Sequence, residues 1–209
     1  MADSREKYKF NFTAGALMPN EMVAVADVLL KNKEDWQKTQ KEVMDKNIMQ
    51  KEKPSTNRRY FSLMQERLAT LNPKELELLV KGNPTEKRQM CLLAICKAHS
   101  IVNDFINEKV RDSFYNQIEK ISPTIFNTFI NEKKADHPEL EKVTENTIYK
   151  MKQVIFKILE QSQLIEDKNS GLIKRPFLNE KMEKVIAEDN PKWLAPFLYS
   201  DQEIHQFQN

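Results

Sequence analysis

Along most of this chain apolar residues recur at intervals of three and four, which places them on one face of an α-helix. The first run is Met22, Val23, Val25, Ala26, Leu29 and Leu30, with Pro19 suited to the opening turn. A second helix is predicted over residues 34–47, with Trp36, Val43 and Met44 turned inward. Residues 49–54 break the pattern. Ser55 then offers an N-cap for a third helix reaching residue 71. Asn72-Pro73 opens a short helix that stops at Gly82, and Asn83-Pro84-Thr85 opens the next. That helix carries Met90, Leu93, Ala94 and Ile95 and is expected at the centre of the core, with the helical pattern continuing over residues 100–110. In the second half, residues 114–121 read as one short helix. Ser122-Pro123 leads into another through Phe126, Phe129 and Ile130. After His137-Pro138 comes a short helical turn, then a long helix over residues 144–162.

Two segments depart from this period. Residues 8–17 are aromatic and small and read as an extended arm. Residues 164–173 place a polar DKNSG turn between Leu164-Ile165 and Leu172-Ile173, the one convincing strand signal, and predict a β-hairpin. The expected fold is therefore mainly all-α and globular, with two helix-turn-helix-like elements. The first lies in a region spanning residues 1–111. The second lies in 112–209, where three short helices, a long helix and a hairpin follow the order of a winged helix. Trp193, Phe197 and Tyr199 are expected to fold the tail back onto the body.

The polar faces of two helices carry candidate chemistry. On the third helix, Tyr60, Phe61, Met64, Leu68 and Leu71 share the inward side, which leaves Ser55, Arg58, Arg59, Ser62 and Gln65 opposite, with Lys53 just ahead. Two arginines in a first turn oppose the helix dipole at a cost of about 0.3–1 kcal/mol, which a phosphate-facing helix would carry. On the long helix, Ile148, Met151, Ile155, Ile158 and Leu159 form the apolar face. Asn146, Lys150, Gln153 and Lys157 form an opposite stripe with no acid before Glu160. Lysine neutralises phosphate, and asparagine or glutamine can read an adenine edge. Lys168, Lys174 and Arg175 lie on or beside the hairpin, together with Glu166 and Asp167, which repel phosphate. A solvated surface helix carries the same residue types, so these patterns alone leave the structural reading open.

Charge sharpens the picture slightly. Residues 31–59 hold nine basic and five acidic residues, 142–175 hold seven and four, and 176–209 hold three and six. Two basic zones and an acidic tail give a weak nucleic-acid signature within a net charge of only +2. Three glycines in 209 residues disfavour sheet-rich folds and phosphate-cradling loops. No apolar run approaches a membrane span and the N-terminus lacks a signal-peptide core, so a cytoplasmic protein is expected. Cys91 and Cys96 are five apart and read as buried free thiols. Cys96 and His99 lack a second pair for zinc, no catalytic motif is present, and no cofactor is expected.

The segments FNFTAGALMPNEMVAVADVLL, STNRRYFSLMQERLATL, EKRQMCLLAICKAHSIVNDFINEKV and NTIYKMKQVIFKILEQSQLI follow one another in an order that resembles the BrxA family of bacteriophage exclusion (BREX) defence systems. The resemblance covers residues 8–177. It implies a monomeric, almost wholly helical protein with two helix-turn-helix elements that binds double-stranded DNA; the lack of any catalytic motif is what makes a non-enzymatic protein the expectation. It also implies a DNA methyltransferase and other BREX proteins as partners, while the residues themselves, with no run long enough to span, point to no membrane. By position, the first element falls on residues 34–47 with 55–71, and the second ends in 144–162. One departure is Gln163, where relatives often carry glycine before the hairpin. A left-handed turn there costs roughly 1–2 kcal/mol. The alternative function is a helical adaptor that assembles other defence proteins through its aromatic arm and acidic tail. RNA binding is a third reading, since nothing in these residues reports on a 2′-hydroxyl.

Overall fold

In the computed structural model, which describes residues 7–208, helix starts follow local capping chemistry. After a 3-10 turn at Asn11–Ala14 come α1 (Pro19–Lys31), α2 (Trp36–Asp45), α3 (Pro54–Leu68), α4 (Pro73–Lys81) and α5 (Pro84–Ala98). Asn72 and Asn83 each accept a hydrogen bond from the third residue of α4 and α5, and Glu75 and Glu86 reach back to the cap N–H. Asp35 caps α2, so the second helix starts at Trp36, because Lys33 and Glu34 both take left-handed backbone angles. Ser55 is not the cap of α3. Pro54 occupies the first helical position, Lys53 becomes the N-cap, and no side chain caps the helix. The helix ends at Leu68, short of residue 71.

His99 separates α5 from α6 (Ser100–Phe105), with extended angles of φ −133° and ψ 91°. A π-helical segment, Ile106–Arg111, then leads directly into α7 (Asp112–Tyr115). The predicted helix over residues 114–121 is not formed beyond Tyr115. Residues 119–121 are extended instead, and the Ile121 N–H donates to the Gly171 carbonyl at 2.9 Å. There follow α8 (Thr124–Lys133), a 3-10 turn at Pro138–Lys142, α9 (Glu145–Gln161), α10 (Glu180–Asp189), a further 3-10 run at Pro191–Phe197 and α11 (Asp201–Gln206).

The predicted hairpin is reduced to isolated bridges. Among the described residues there is no strand, only antiparallel bridges between Ile165 and Ile173 and between Lys120 and Leu172. Residues 171–173 lie between two partners: Glu166 N–H donates to Leu172 O at 2.8 Å, and Ile173 N–H to Glu119 O at 2.8 Å. Gly171 is required in this arrangement. Its φ is +60°, and a Cβ there would sit 2.2 Å from the Ile121 carbonyl oxygen.

The end of α9 gives the Gln163 departure a definite geometry. Gln163 adopts φ +65°, its N–H bonds Glu160 O, and the Leu164 N–H bonds Leu159 O at 2.9 Å. This pairing is a Schellman cap with glutamine in the glycine position. Gln163→Gly should raise stability by about 1 kcal/mol, read as a higher denaturation midpoint with unchanged m-value.

The buried side chains form one core. In α5 every residue from Gln89 to Cys96 is buried, as expected of a helix surrounded on all sides. Burial pushes the Cys91 thiol up to about 12 and raises Cys96 as well, so both free thiols are inert. Phe197 and Tyr199 are buried and Trp193 is partly buried, so the tail packs onto the body as expected. The arm is also internal. Tyr8 and Phe12 are buried, Tyr8 stacks on His137 with ring centroids 3.6 Å apart, and its hydroxyl donates to Asp104 at 2.7 Å.

Candidate nucleic-acid interface

Amphipathicity orients α9. Thr144 caps it by accepting the Thr147 N–H, and Met151, Ile155, Ile158 and Leu159 are buried as the spacing required, with Ile148 partly buried. The opposite stripe of Asn146, Lys150, Gln153 and Lys157 is exposed throughout. Gln153 and Lys157 line a groove of about 570 Å³ floored by Phe156, and Lys168 and Asn169 of the turn after α9 close its far side. A second groove of about 500 Å³ runs between α9 and α8, where Asn146 faces Asn127, Asn131 and Lys134. Tyr149 and Lys152 line both grooves and stand on the ridge between them. Tyr149 is 57 % exposed, and the Lys152 Nζ lies 5.5 Å from its ring centre.

These two residues were not among those picked out from the sequence. The available signal was an aromatic residue off the apolar stripe, since Tyr149 falls between Ile148 and Lys150 and away from the Met151–Ile155 face.

The turn at 166–171 has local uses for its acids. The Asp167 carboxylate accepts the N–H groups of Asn169 at 2.7 Å and Ser170 at 2.9 Å, and the Ser170 and Asn169 bonds hold its pKa below the usual carboxylate range. Glu166 pairs with Lys174 at 2.9 Å. Glu160 accepts the Lys168 N–H at 3.2 Å, which ties the turn to α9. Arg175 faces away from the groove. Its guanidinium bonds Glu203 at 2.7 Å and lies 4.4 Å from the Tyr199 ring centre, so it fastens α11. Lys174 and Arg175 thus sit in ion pairs. Lys150, Lys152, Lys157 and Lys168 have no acidic partner among the described residues.

The α3 surface is a separate place. Lys53, Ser55, Arg58, Arg59 and Ser62 are exposed and Gln65 is half-buried. Lys53, Arg58 and Arg59 have no acidic partner among the described residues, and the first turn of α3 holds no acid. Arg59 lies 5.3 Å from the Tyr60 ring centre, and Ser62 donates to Arg58 O at 3.2 Å. Tyr60 is half-buried, whereas Phe61, Met64, Leu68 and Leu71 are buried as expected. The turn between α2 and α3 is held by Asn47, whose Oδ1 accepts the Lys51 N–H at 3.0 Å and an Asn57 N–H at 3.3 Å.

The arm joins the two surfaces. Its 3-10 turn packs against both α3 and α9. From α3, the wholly buried Arg67 donates to the carbonyls of Gly15 and Ala16, each at 2.7 Å, and burial lowers its pKa to about 10. From α9, Gln161 accepts the Leu17 N–H at 3.0 Å.

Among the described residues, no group of three His, Cys, Asp or Glu side chains could hold a metal ion, and no helix is long and apolar enough to cross a membrane.

Comparison with known proteins fits this architecture. A solved structure described as an uncharacterized protein from Magnetospirillum magneticum superposes with a TM-score of 0.80 at 20 % identity, covering 92 % of this chain and 98 % of that one. The chain is similar to the BREX protein BrxA of Escherichia coli O9:H4 (strain HS), with 30 % identity over 73 % of this chain and 71 % of the relative. It is also similar to the BREX protein BrxA of Paramagnetospirillum magneticum, with 24 % identity over 93 % and 96 %. The BrxA family profile matches residues 6–190, and the chain belongs to the BrxA family.

Proposed function

We propose that this chain is a non-enzymatic, double-stranded DNA-binding component of a BREX phage-defence system. It works in the cytoplasm as a monomer beside other BREX proteins, including the methyltransferase. The observation that carries the DNA reading is the α9 surface, where two grooves flank a ridge edged by lysines that have no acidic partner among the described residues. In this reading α9 enters a duplex groove, the turn at 166–171 serves as the wing, and Lys150, Lys152, Lys157 and Lys168 meet phosphates. Asn146, Gln153 and Tyr149 then face base edges. The paired segments at 119–121, 164–166 and 171–174 support the winged reading, because they pin the turn beside α9. Helices α2 and α3 form the first helix-turn-helix-like element, presenting Lys53, Arg58 and Arg59.

The test is charge reversal at exposed positions, which leaves the core untouched. Lys150→Glu with Lys157→Glu should weaken binding of a labelled duplex roughly tenfold or more and flatten its salt slope by about 2, with unchanged circular dichroism. Arg58→Glu with Arg59→Glu should act in the same direction. Parental binding by both double variants would show that these surfaces do not touch DNA.

The adaptor reading finds support elsewhere on the surface. The arm and tail are held by internal contacts, but Phe177 is 83 % exposed and Ile118 52 % exposed. A complex with a defence protein that survives nuclease and high salt would favour that role.

A further inference from the structure

Asparagine favours caps and turns, where its carboxamide bonds nearby backbone, and it is among the poorer residues for a helix interior. Most asparagines of this fold serve such local roles. Asn72, Asn83, Asn179 and Asn190, for example, each cap a helical segment. Among the described residues, Asn20 apart, the asparagines whose side chains bond nothing are Asn127, Asn131, Asn146 and Asn169, and all of them line the two grooves beside α9. Asn127 and Asn131 stand one turn apart inside α8, and both are exposed. They weaken that helix and make no bond for the fold, which directs attention to what they meet outside it.

The α8–α9 groove gathers the carboxamides of Asn127, Asn131 and Asn146. Lys134 and Lys152 line the same groove and have no acidic partner among the described residues. Glu145, the acid that lines it, stands in the first turn of α9, where the helix dipole favours a carboxylate. Across the Tyr149–Lys152 ridge, Gln153 lines the other groove with Asn169, and its side chain also bonds nothing among the described residues. A carboxamide presents a donor and an acceptor side by side. In the major groove adenine answers with a donor at N6 and an acceptor at N7, whereas guanine shows two acceptors and cytosine one donor. Asn146 and Gln153 share one face of α9 and lie about 10.5 Å apart along its axis. That length is close to three base-pair steps of about 3.4 Å.

We propose that the α8–α9 surface selects duplexes carrying two adenines about three base pairs apart, one met by Asn146 with Asn127 and Asn131, the other by Gln153. This rests on the DNA reading above and goes beyond it by assigning a base preference and by adding the α8 asparagines to the site. The lysines hold phosphates and set affinity, and the carboxamides set where along the duplex the chain settles.

The test is selection by the full chain from duplexes with a randomised central segment, followed by anisotropy competition. The bound pool should be enriched in adenine at two positions about three base pairs apart. The enriched duplex should bind about fivefold or more tightly than one of equal length with only G·C pairs in that segment. Replacing the two adenines with 7-deazaadenine, which keeps Watson–Crick pairing and removes N7, should abolish most of that preference. Asn146→Ala, and the pair Asn127→Ala with Asn131→Ala, should each relax the choice at one position, and Gln153→Ala at the other. Circular dichroism and the salt slope should stay unchanged in all of them. Equal binding of all these duplexes, with the salt slope intact, would overturn the proposal and leave the phosphate contacts standing. A preference for A·T pairs that survives both 7-deazaadenine and the alanine variants would also overturn it, because duplex shape alone would then decide. No duplex binding at the lowest salt would overturn the DNA reading, and this proposal with it.

Discussion

Lys97→Met should destabilise the fold by about 3–5 kcal/mol, a large share of the 5–15 kcal/mol typical of a whole domain. The Lys97 Nζ bonds both Glu75 oxygens at 2.7 Å and Asp189 at 2.8 Å, and only 5 % of its side chain is exposed. Glu75 is wholly buried. Burial pushes its carboxyl above the usual carboxylate range, against the opposing pull of Lys97 and the Asn72 capping bond. Without the lysine, that carboxylate keeps only the cap N–H and must either stay charged in the core or take up a proton. The same contact anchors the end of α10 to α4 and α5, so the loss should also loosen the tail. Pairing the change with Glu75→Gln should restore much of the stability, since the amide still accepts the cap N–H and no charge is left buried. Denaturant melts of both single variants and the double variant measure this. Additive losses would mean that the pair is not coupled.

Acid should destabilise the fold through His99. Its ring is buried, neither nitrogen has a partner among the described residues, and burial first, then the Arg67 and Lys9 charges, lower its pKa to about 3. The unfolded chain, with an ordinary value of about 6.5, binds a proton that the folded chain refuses between those limits. The stabilisation is therefore complete above pH 6.5 and declines as pH falls toward 3. Between pH 6.5 and 4 the loss is about 3 kcal/mol. In His99→Leu this component should vanish, so the variant's stability should fall less over the same interval. Parallel curves for the two proteins would show that His99 is protonated without cost.

How far the sequence could be read depended on whether the deciding partners were local. The two faces of α9 followed from spacing alone, because strong amphipathicity leaves one orientation that buries Met151, Ile155 and Leu159. The starts at Asn72 and Asn83 were legible because a capping box closes within three residues. Residues 114–121 misled because Phe114, Ile118 and Ile121 imitate helical spacing. In the fold Ile118 is solvent-facing and Ile121 pairs with Gly171, fifty residues on. Ser55 misled because Pro54 fixes the start of α3 first. Arg67 gave no sign of burial, since its partners are carbonyls at Gly15 and Ala16 across the core. Of the candidate site residues, Gln153, Lys157 and Lys168 converge on one groove. Arg175 is turned away by Glu203, an acid that no sequence window around the hairpin contains.

The most direct test of the central claim is fluorescence anisotropy of a labelled duplex of about 30 base pairs across a salt series. Contact through Lys150, Lys152, Lys157 and Lys168 predicts a log–log slope of roughly −3 to −4, steepening toward about −6 if Lys53, Arg58 and Arg59 engage the same duplex. No binding at the lowest salt, or binding indifferent to salt, would contradict the account.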